Sequence, residues 1–508
     1  MTILIKNVLL VDGTGRPPAK VDVIVKNEKI VALGYFPQYN RADEVIDGLG
    51  GAYLAPGFID INTDADLYLN LFSNPGLENF LLDGVTSIIG GQGGISLAPA
   101  FYGSLDLHNL WADTLKVNVN WRKVSEFLET MEKKRIGVNF GTMVGYSTIR
   151  YEITGDDFRD LTAKEFDVVK YAANQSLAGG AFGISVDLDF PMTALSPYKE
   201  IRTLAELVEK SKKILCLRLR NVSDSSIFNK DLAGNFSSAV GEALNISKET
   251  SAKILINNFS CPKSMEKQYE EAILSIEDNS ATADIYFDVN PGGISVFPIF
   301  AFLPYWIKRG SFKEMRKIIA LKENISKIKK DLPTLKYEDL TIFSAPGFEY
   351  LIGKSIKTFG QERDLTAKDG LLELMRLTKL RASVYYRNLS VKEFPRAVSS
   401  SRAIISSADG GFGKNQNDIP ELSSTHRNVI EMSLKNKIIP IEETIKKMTS
   451  LPAKNLGISD RGIIREGYFA DLVLFRENKI ETVIINGKLA VNEGKVCETN
   501  AGKILKKT

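Results

Sequence analysis

The chain has 508 residues, 44% of them hydrophobic and 25% charged, which are ordinary globular proportions for two or three structural units rather than a single core. A net charge of +3 over this length leaves no electrostatic footprint for nucleic acid or for an anionic membrane. The cluster Lys327, Lys329 and Lys330 reads as a solvated helix face. Only three cysteines occur, Cys216, Cys261 and Cys497. They are far apart and without CxxC spacing, which excludes a disulfide framework or a structural zinc knot and predicts thiols in a reducing cytoplasm. The start lacks the basic region and long apolar core of a signal peptide, and no window approaches ~20 apolar residues, so no membrane span is expected.

Residues 1–55 read as short strands. Ile3 to Val11 runs into the turn Asp12-Gly13-Thr14-Gly15, Val21 to Val25 alternates with period two, and Lys29 to Leu33 returns after Lys26-Asn27-Glu28. Such strands cannot close a core alone. The far end supplies matching ones: Asp471 to Phe475, then Ile480 to Ile485, the turn Asn486-Gly487, and Lys488 to Val491. Asn-Gly between two apolar runs is a strong hairpin signal. The economical inference is a small β-sandwich built from residues 1–55 and 461–508, with 56–460 inserted as a separate domain.

That middle opens with Pro56-Gly57-Phe58-Ile59-Asp60-Ile61-Asn62-Thr63-Asp64, passes through a helix-length segment, and reaches Val85 to Ile89 and the glycine-rich loop Gly90 to Gly94. This is strand, helix, parallel strand, with polar groups at the carboxyl ends of both strands, where α/β barrels build sites. Further buried-strand candidates follow around Val138, Ile184, Leu215, Leu255, Ile285 and Ile404, separated by helical patterns, and eight such βα units make a TIM-like barrel. The segment 306–379 is too long for one connection and predicts a helical insertion. The loop Gly90 to Gly94 lacks a P-loop lysine and GxGxxG spacing, so it reads as a tight turn rather than a phosphate cradle.

The first of these stretches, followed by Asp83-Gly84-Val85-Thr86 and by Gly91-Gln92-Gly93-Gly94-Ile95-Ser96-Leu97-Ala98-Pro99, resembles the D-aminoacylase (N-acyl-D-amino-acid deacylase) branch of the amidohydrolase superfamily. Val144-Gly145-Tyr146-Ser147-Thr148-Ile149-Arg150, Ala408-Asp409-Gly410, the run Lys447 to Ala453 and the run Asp460 to Val473 carry the likeness to the far end. The resemblance implies a (β/α)8 barrel set into the terminal β-sandwich, zinc chemistry and hydrolysis of an N-acyl amino acid. Its ligand positions, however, fall on other residues here. The two histidines of the family's HTH triplet fall on Asn62 and Asp64, the cysteine of its GNCG on Gly93, and two further histidines on Arg218 and Asn258, while the lysine of its ISHHK falls on Ser260.

A metal-dependent amidohydrolase needs imidazole, thiolate or carboxylate to hold zinc, and a carboxylate to move the water's proton. The chain holds two histidines in all, His108 and His426. No cofactor is therefore expected, although zinc serves the family, and no metal ligand is assigned. Asp409, at the family's acid/base position, is the catalytic candidate. Arg150, Arg218, Arg220 and Tyr286 are the expected contacts for a small carboxylate-bearing or N-acyl amino-acid-like molecule, and Arg218 is expected to fill the vacated cation position. Asp60, Asp64, Asp66 and Asp409 form an oxygen-only alternative for a hard cation, with Asp66 also readable as a helix cap. The reading is a degenerate or repurposed deacylase that binds a small anion or a partner; its alternative is an active amidohydrolase using Asp409 and a non-standard metal site. Neither nucleic acid nor membrane is expected as a partner, and self-association stays open.

Overall fold

A computed structural model describes residues 1–220, 222, 236–407, 424–497 and 500–507. Strands from both ends of the chain meet in one nine-stranded sheet, as their complementary apolar faces require. The joining strand is Tyr53–Pro56, which runs parallel to Thr2–Leu10 on one side and antiparallel to Leu472–Arg476 on the other. This bridge makes the hydrogen-bonded path continuous from the amino-terminal strands to the carboxyl-terminal ones.

Eight short parallel strands follow in barrel order: Phe58–Asp60, Val85–Gly90, a third run broken at Met143 into Asn139–Thr142 and Val144–Gly145, then Gly183–Asp187, Ile214–Arg218, Lys253–Ile256, Ile285–Val289 and Ala403–Ile405. The first half of the third strand pairs with the second strand and the other half with the fourth, which joins two sheets into one path. Between the eighth strand and the first, no backbone ladder forms among the described residues. The link there is the Ser407 N–H, which points at both oxygens of Asp60 at 3.3 and 3.2 Å.

The inner faces pack Ile59, Ile61, Ile89, Met143, Phe182 and Leu255 into a filled core, as expected for a barrel of this size. The chain's last residues close the amino-terminal end of the barrel. Ile504 bridges to Phe140 in the third strand, Leu505 N–H donates to Phe140 O at 2.7 Å, and Lys507 N–H donates to Gly180 O at 3.0 Å.

The insertion is larger than predicted and begins earlier. Between the seventh and eighth strands lies a three-stranded antiparallel sheet, Ser295–Pro298, Ser383–Tyr386 and Leu340–Ser344, with helices between its strands. Its strands are four or five residues long, too short to stand out in a helix-rich stretch. Among the described residues no helix is long and apolar enough to cross a membrane.

Candidate active site at the barrel mouth

Successive inward positions on a strand lie two residues apart, and on this barrel they change character in one step. Cys216 gives way to Arg218, Leu255 to Asn257, Tyr286 to Asp288 and Ile404 to Ser406, so the apolar layer ends and a polar layer begins at the carboxyl ends.

Asn62 sits at the centre of that layer. Its Nδ2 donates to Asn258 Oδ1 at 2.5 Å and to Asp288 Oδ2 at 2.7 Å, and the Asn258 N–H closes the triangle onto Asp288 Oδ1 at 2.7 Å. Beside it, Asn257 Nδ2 donates to Gln92 Oε1 at 2.7 Å and Gln92 Nε2 to Ile61 O at 2.6 Å. Burial pushes the Asp288 carboxyl up to about 7, against the pull of its Asn62 and Asn258 donors. Asp60 is also raised by burial.

Asp187 ends the fourth strand. Its Oδ1 accepts the backbone N–H groups of Asp189 and Phe190 at 2.8 and 3.1 Å, and its Oδ2 accepts Arg218 at 3.3 Å. Burial raises this carboxyl and Arg218 is the largest opposing influence. From Arg218, Asn257 and Asn258 a pocket opens outward between aromatic walls, Phe190 and Phe259 from the barrel side and Phe297 and Phe300 from the insertion. Lys308 of the insertion also lines it and donates to Ala301 O at 3.0 Å.

The loop after the second strand is held tightly. Asp66, buried, accepts the Gly91 N–H at 2.6 Å, and burial lifts its carboxyl to about 6. Gly91 has φ +72°, and a Cβ there would stand 2.4 Å from Met143 O, so this turn requires glycine. Asp66 thus anchors this loop across the barrel mouth, a role its helix-cap reading did not give it.

Of the predicted contacts, Arg218 lies at the mouth, with Asp187 as its ion-pair partner. The other three are placed elsewhere. Arg150 is 2% exposed, pairs with Glu200 at 3.4 Å, and also donates to Tyr146 Oη and Arg159 O. Arg220 is spent on Glu242 at 3.1 and 3.0 Å and on the carbonyls of Ala194 and Ser196. Tyr286 lies one layer below Asp288, with the Arg402 guanidinium 4.9 Å from its ring centre. None of the three lines the pocket. Asp64 is half-buried just past the first strand and Gly93 adopts φ +60° in the loop. Asp409 lies outside the described residues. Among the described residues, no group of three or more His, Cys, Asp or Glu is placed to hold a metal ion.

Asp187 and Asp288 were legible in principle, since both are the last inward carboxylates of strands already recognised. Lys308 was not, because its place depends on how the insertion folds back.

The same architecture is found in known proteins. A solved D-aminoacylase superposes with a TM-score of 0.80 over 99% of both chains at 23% identity, and the N-acyl-D-glutamate deacylase of Bordetella bronchiseptica, solved with zinc and a phosphonate inhibitor, does so with 0.80 over 99% of both at 20%. The fold is that of the D-aminoacylases. In sequence, the chain is 24% identical to the D-aminoacylase of Alcaligenes xylosoxydans xylosoxydans over 100% of this chain and 98% of that protein. The N-acyl-D-aspartate deacylase of the same organism is 26% identical over 97% and 89%. The amidohydrolase family pattern matches residues 371–490, which run from the insertion's last helix into the terminal sheet. The likeness is thus to the D-aminoacylase branch of the amidohydrolases, end to end.

Proposed function

We propose that this protein acts on an N-acyl amino acid, or a closely related amide bearing a carboxylate, held in the pocket between the barrel mouth and the insertion. One observation carries the reading: the pocket opens at the carboxyl ends of the barrel strands, in a chain that is similar along its whole length to proteins named as deacylases of such molecules. Its chemistry suits the ligand class. Cations and amide donors line one part, and aromatic rings accept an apolar body elsewhere.

Hydrolysis of the amide is the reaction the relatives favour, with Asp409 as the carboxylate that takes the water's proton and delivers it to the leaving amine. Zinc does not fit the residues described here. The Asn62 amide presents N–H groups to both Asn258 and Asp288, both Asp288 oxygens already accept hydrogen bonds, and Arg218 is a donor-only cation. No step is therefore assigned to zinc.

The same closed network favours a second reading, in which the molecule is bound and not cleaved. Three measurements separate the readings: elemental mass spectrometry of the purified protein, calorimetric titration with a panel of N-acetyl-D-amino acids, and hydrolysis of that panel by wild type and Asp409→Asn. Turnover abolished by Asp409→Asn establishes the hydrolase. Saturable binding without turnover across the panel establishes the binder. Neither binding nor turnover overturns the ligand class itself.

A further inference from the structure

We infer that Lys308, carried on the insertion, is the anchor for the carboxylate of the small molecule held in the barrel-mouth pocket. The inference rests on that pocket being the ligand site, and it is independent of whether an amide is cleaved there.

Two cations line the pocket among the described residues, and they are not equivalent. Arg218 already faces the Asp187 carboxylate at 3.3 Å, so that charge is matched within the protein. Lys308 has no carboxylate within ion-pairing distance among the described residues. Its Nζ carries three N–H donors and spends one, on Ala301 O at 3.0 Å. The side chain is half-buried on the pocket wall, where burial works against its charge. Asp189, also on the wall, acts on it through space in the opposite direction, more weakly than burial does.

An ammonium withdrawn from water with two of its three donors unspent and no carboxylate in contact is costly, and a bound anion supplies what is missing. The neighbouring rings of Phe190, Phe297 and Phe300 fix the rest of the chemistry: a monocarboxylate with an apolar body, lying with its charged end toward the insertion. Because Lys308 belongs to the insertion and Asn257 and Asn258 to the barrel, such a ligand touches both parts at once.

The test is calorimetric titration of the full chain with two matched pairs, N-acetyl-D-leucine against N-acetyl-D-leucinamide, and 3-phenylpropanoate against 3-phenylpropanamide. Wild type is expected to bind each carboxylate about tenfold or more tightly than its amide. Lys308→Met is expected to erase that preference and Lys308→Arg to keep it, with Lys308→Gln as the second neutral variant should the methionine form not fold. Preference in the phenylpropanoate pair alone sustains the anchor and removes the N-acyl amino acid reading. A wild type that shows no carboxylate preference in either pair, including one that binds neither carboxylate, overturns the anchor. A neutral variant that retains the preference overturns it as well.

Discussion

Asp288 is a buried carboxyl group whose donors include the Asn62 side chain and the Asn258 N–H, and its burial bears on how stability varies with pH. Its folded value of about 7 stands above the ordinary 3.8, as does that of Asp66 at about 6, both because burial disfavours the anion. Between these limits the folded state binds more protons than the unfolded chain, so stability present below about pH 4 is lost as pH rises through 6 and 7. Asp60 is raised by burial and adds in the same direction. His426 adds to it too: burial works against its charge, but the Asp83 carboxylate 2.8 Å from Nδ1 raises it on balance, and that contribution is also lost as pH rises. His108 opposes them, since burial lowers it to about 4 and its contribution grows as pH rises towards 6.5, but it is one group against four, and urea unfolding at pH 5 and pH 7.5 is expected to give the higher midpoint at pH 5. Each proton involved contributes up to roughly 1.4 kcal/mol per pH unit. Asp288→Asn removes one of these protons, so its stability should vary less steeply over the same range, whatever the offset from its altered hydrogen bonds. An unchanged slope would mean that Asp288 is ionised in the folded protein.

At the scale of elements, residues 501–507 are less peripheral than their lysine-rich sequence implies. Lys503 O accepts from Phe140 N–H at 2.9 Å, and the half-buried Lys213 carries its ammonium to the carbonyls of Leu177, Ala181 and Lys507. Truncation after Asn500 deletes four backbone–backbone bonds and at least three more that involve side chains, each worth roughly 1 kcal/mol net, and uncovers the bottom of the barrel. Thermal unfolding of the truncated chain is expected well below that of the full chain, with the ligand pocket at the opposite end unchanged in preference. Equal melting temperatures would show the tail to be a passenger. The barrel strands could be read from the sequence because each is a short apolar run bounded by polar residues, and Asn62, Arg218 and Asn258 could be located because they follow such runs directly. The tail has no such pattern: Gly502 and Lys503 act through their backbone groups, which side-chain periodicity does not report. Arg150 and Arg220 lie away from the pocket for a related reason, since an arginine in a sequence says nothing of the Glu200 or Glu242 that folding brings to it.

For the whole molecule, the decisive question is whether the insertion is a separate unit or part of the barrel. Its chain ends lie together, with Leu389 N–H donating to Gly293 O at 3.2 Å, so excision of 294–388 and closure by a short glycine-serine linker asks no reach of the chain. The packing argues that the remainder will not fold. Phe300 of the insertion meets Trp111 at 6.4 Å and Phe190 at 6.1 Å, Phe312 meets Phe158 at 5.1 Å, and all but Phe158 belong to one buried cluster with Tyr68, Ile95 and Met192 of the barrel loops. Polar ties cross the same boundary: Asp156 accepts the N–H groups of Phe312 and Lys313 at 2.9 and 2.8 Å, and Arg381 donates to Asn109 O at 2.6 Å. Exposing a large apolar side chain costs about 1.5–3 kcal/mol, so uncovering Tyr68, Trp111, Phe190 and Met192 together matches a total stability of about 5–15 kcal/mol. The full chain is accordingly expected to melt in one transition by both far-ultraviolet circular dichroism and tryptophan fluorescence, and the excised chain to lack a cooperative transition. A folded barrel that survives excision would detach the insertion from the core. The aromatic wall and Lys308 would then be parts of a movable cover, and the pocket's fixed chemistry would reduce to Asp187, Arg218, Asn257 and Asn258.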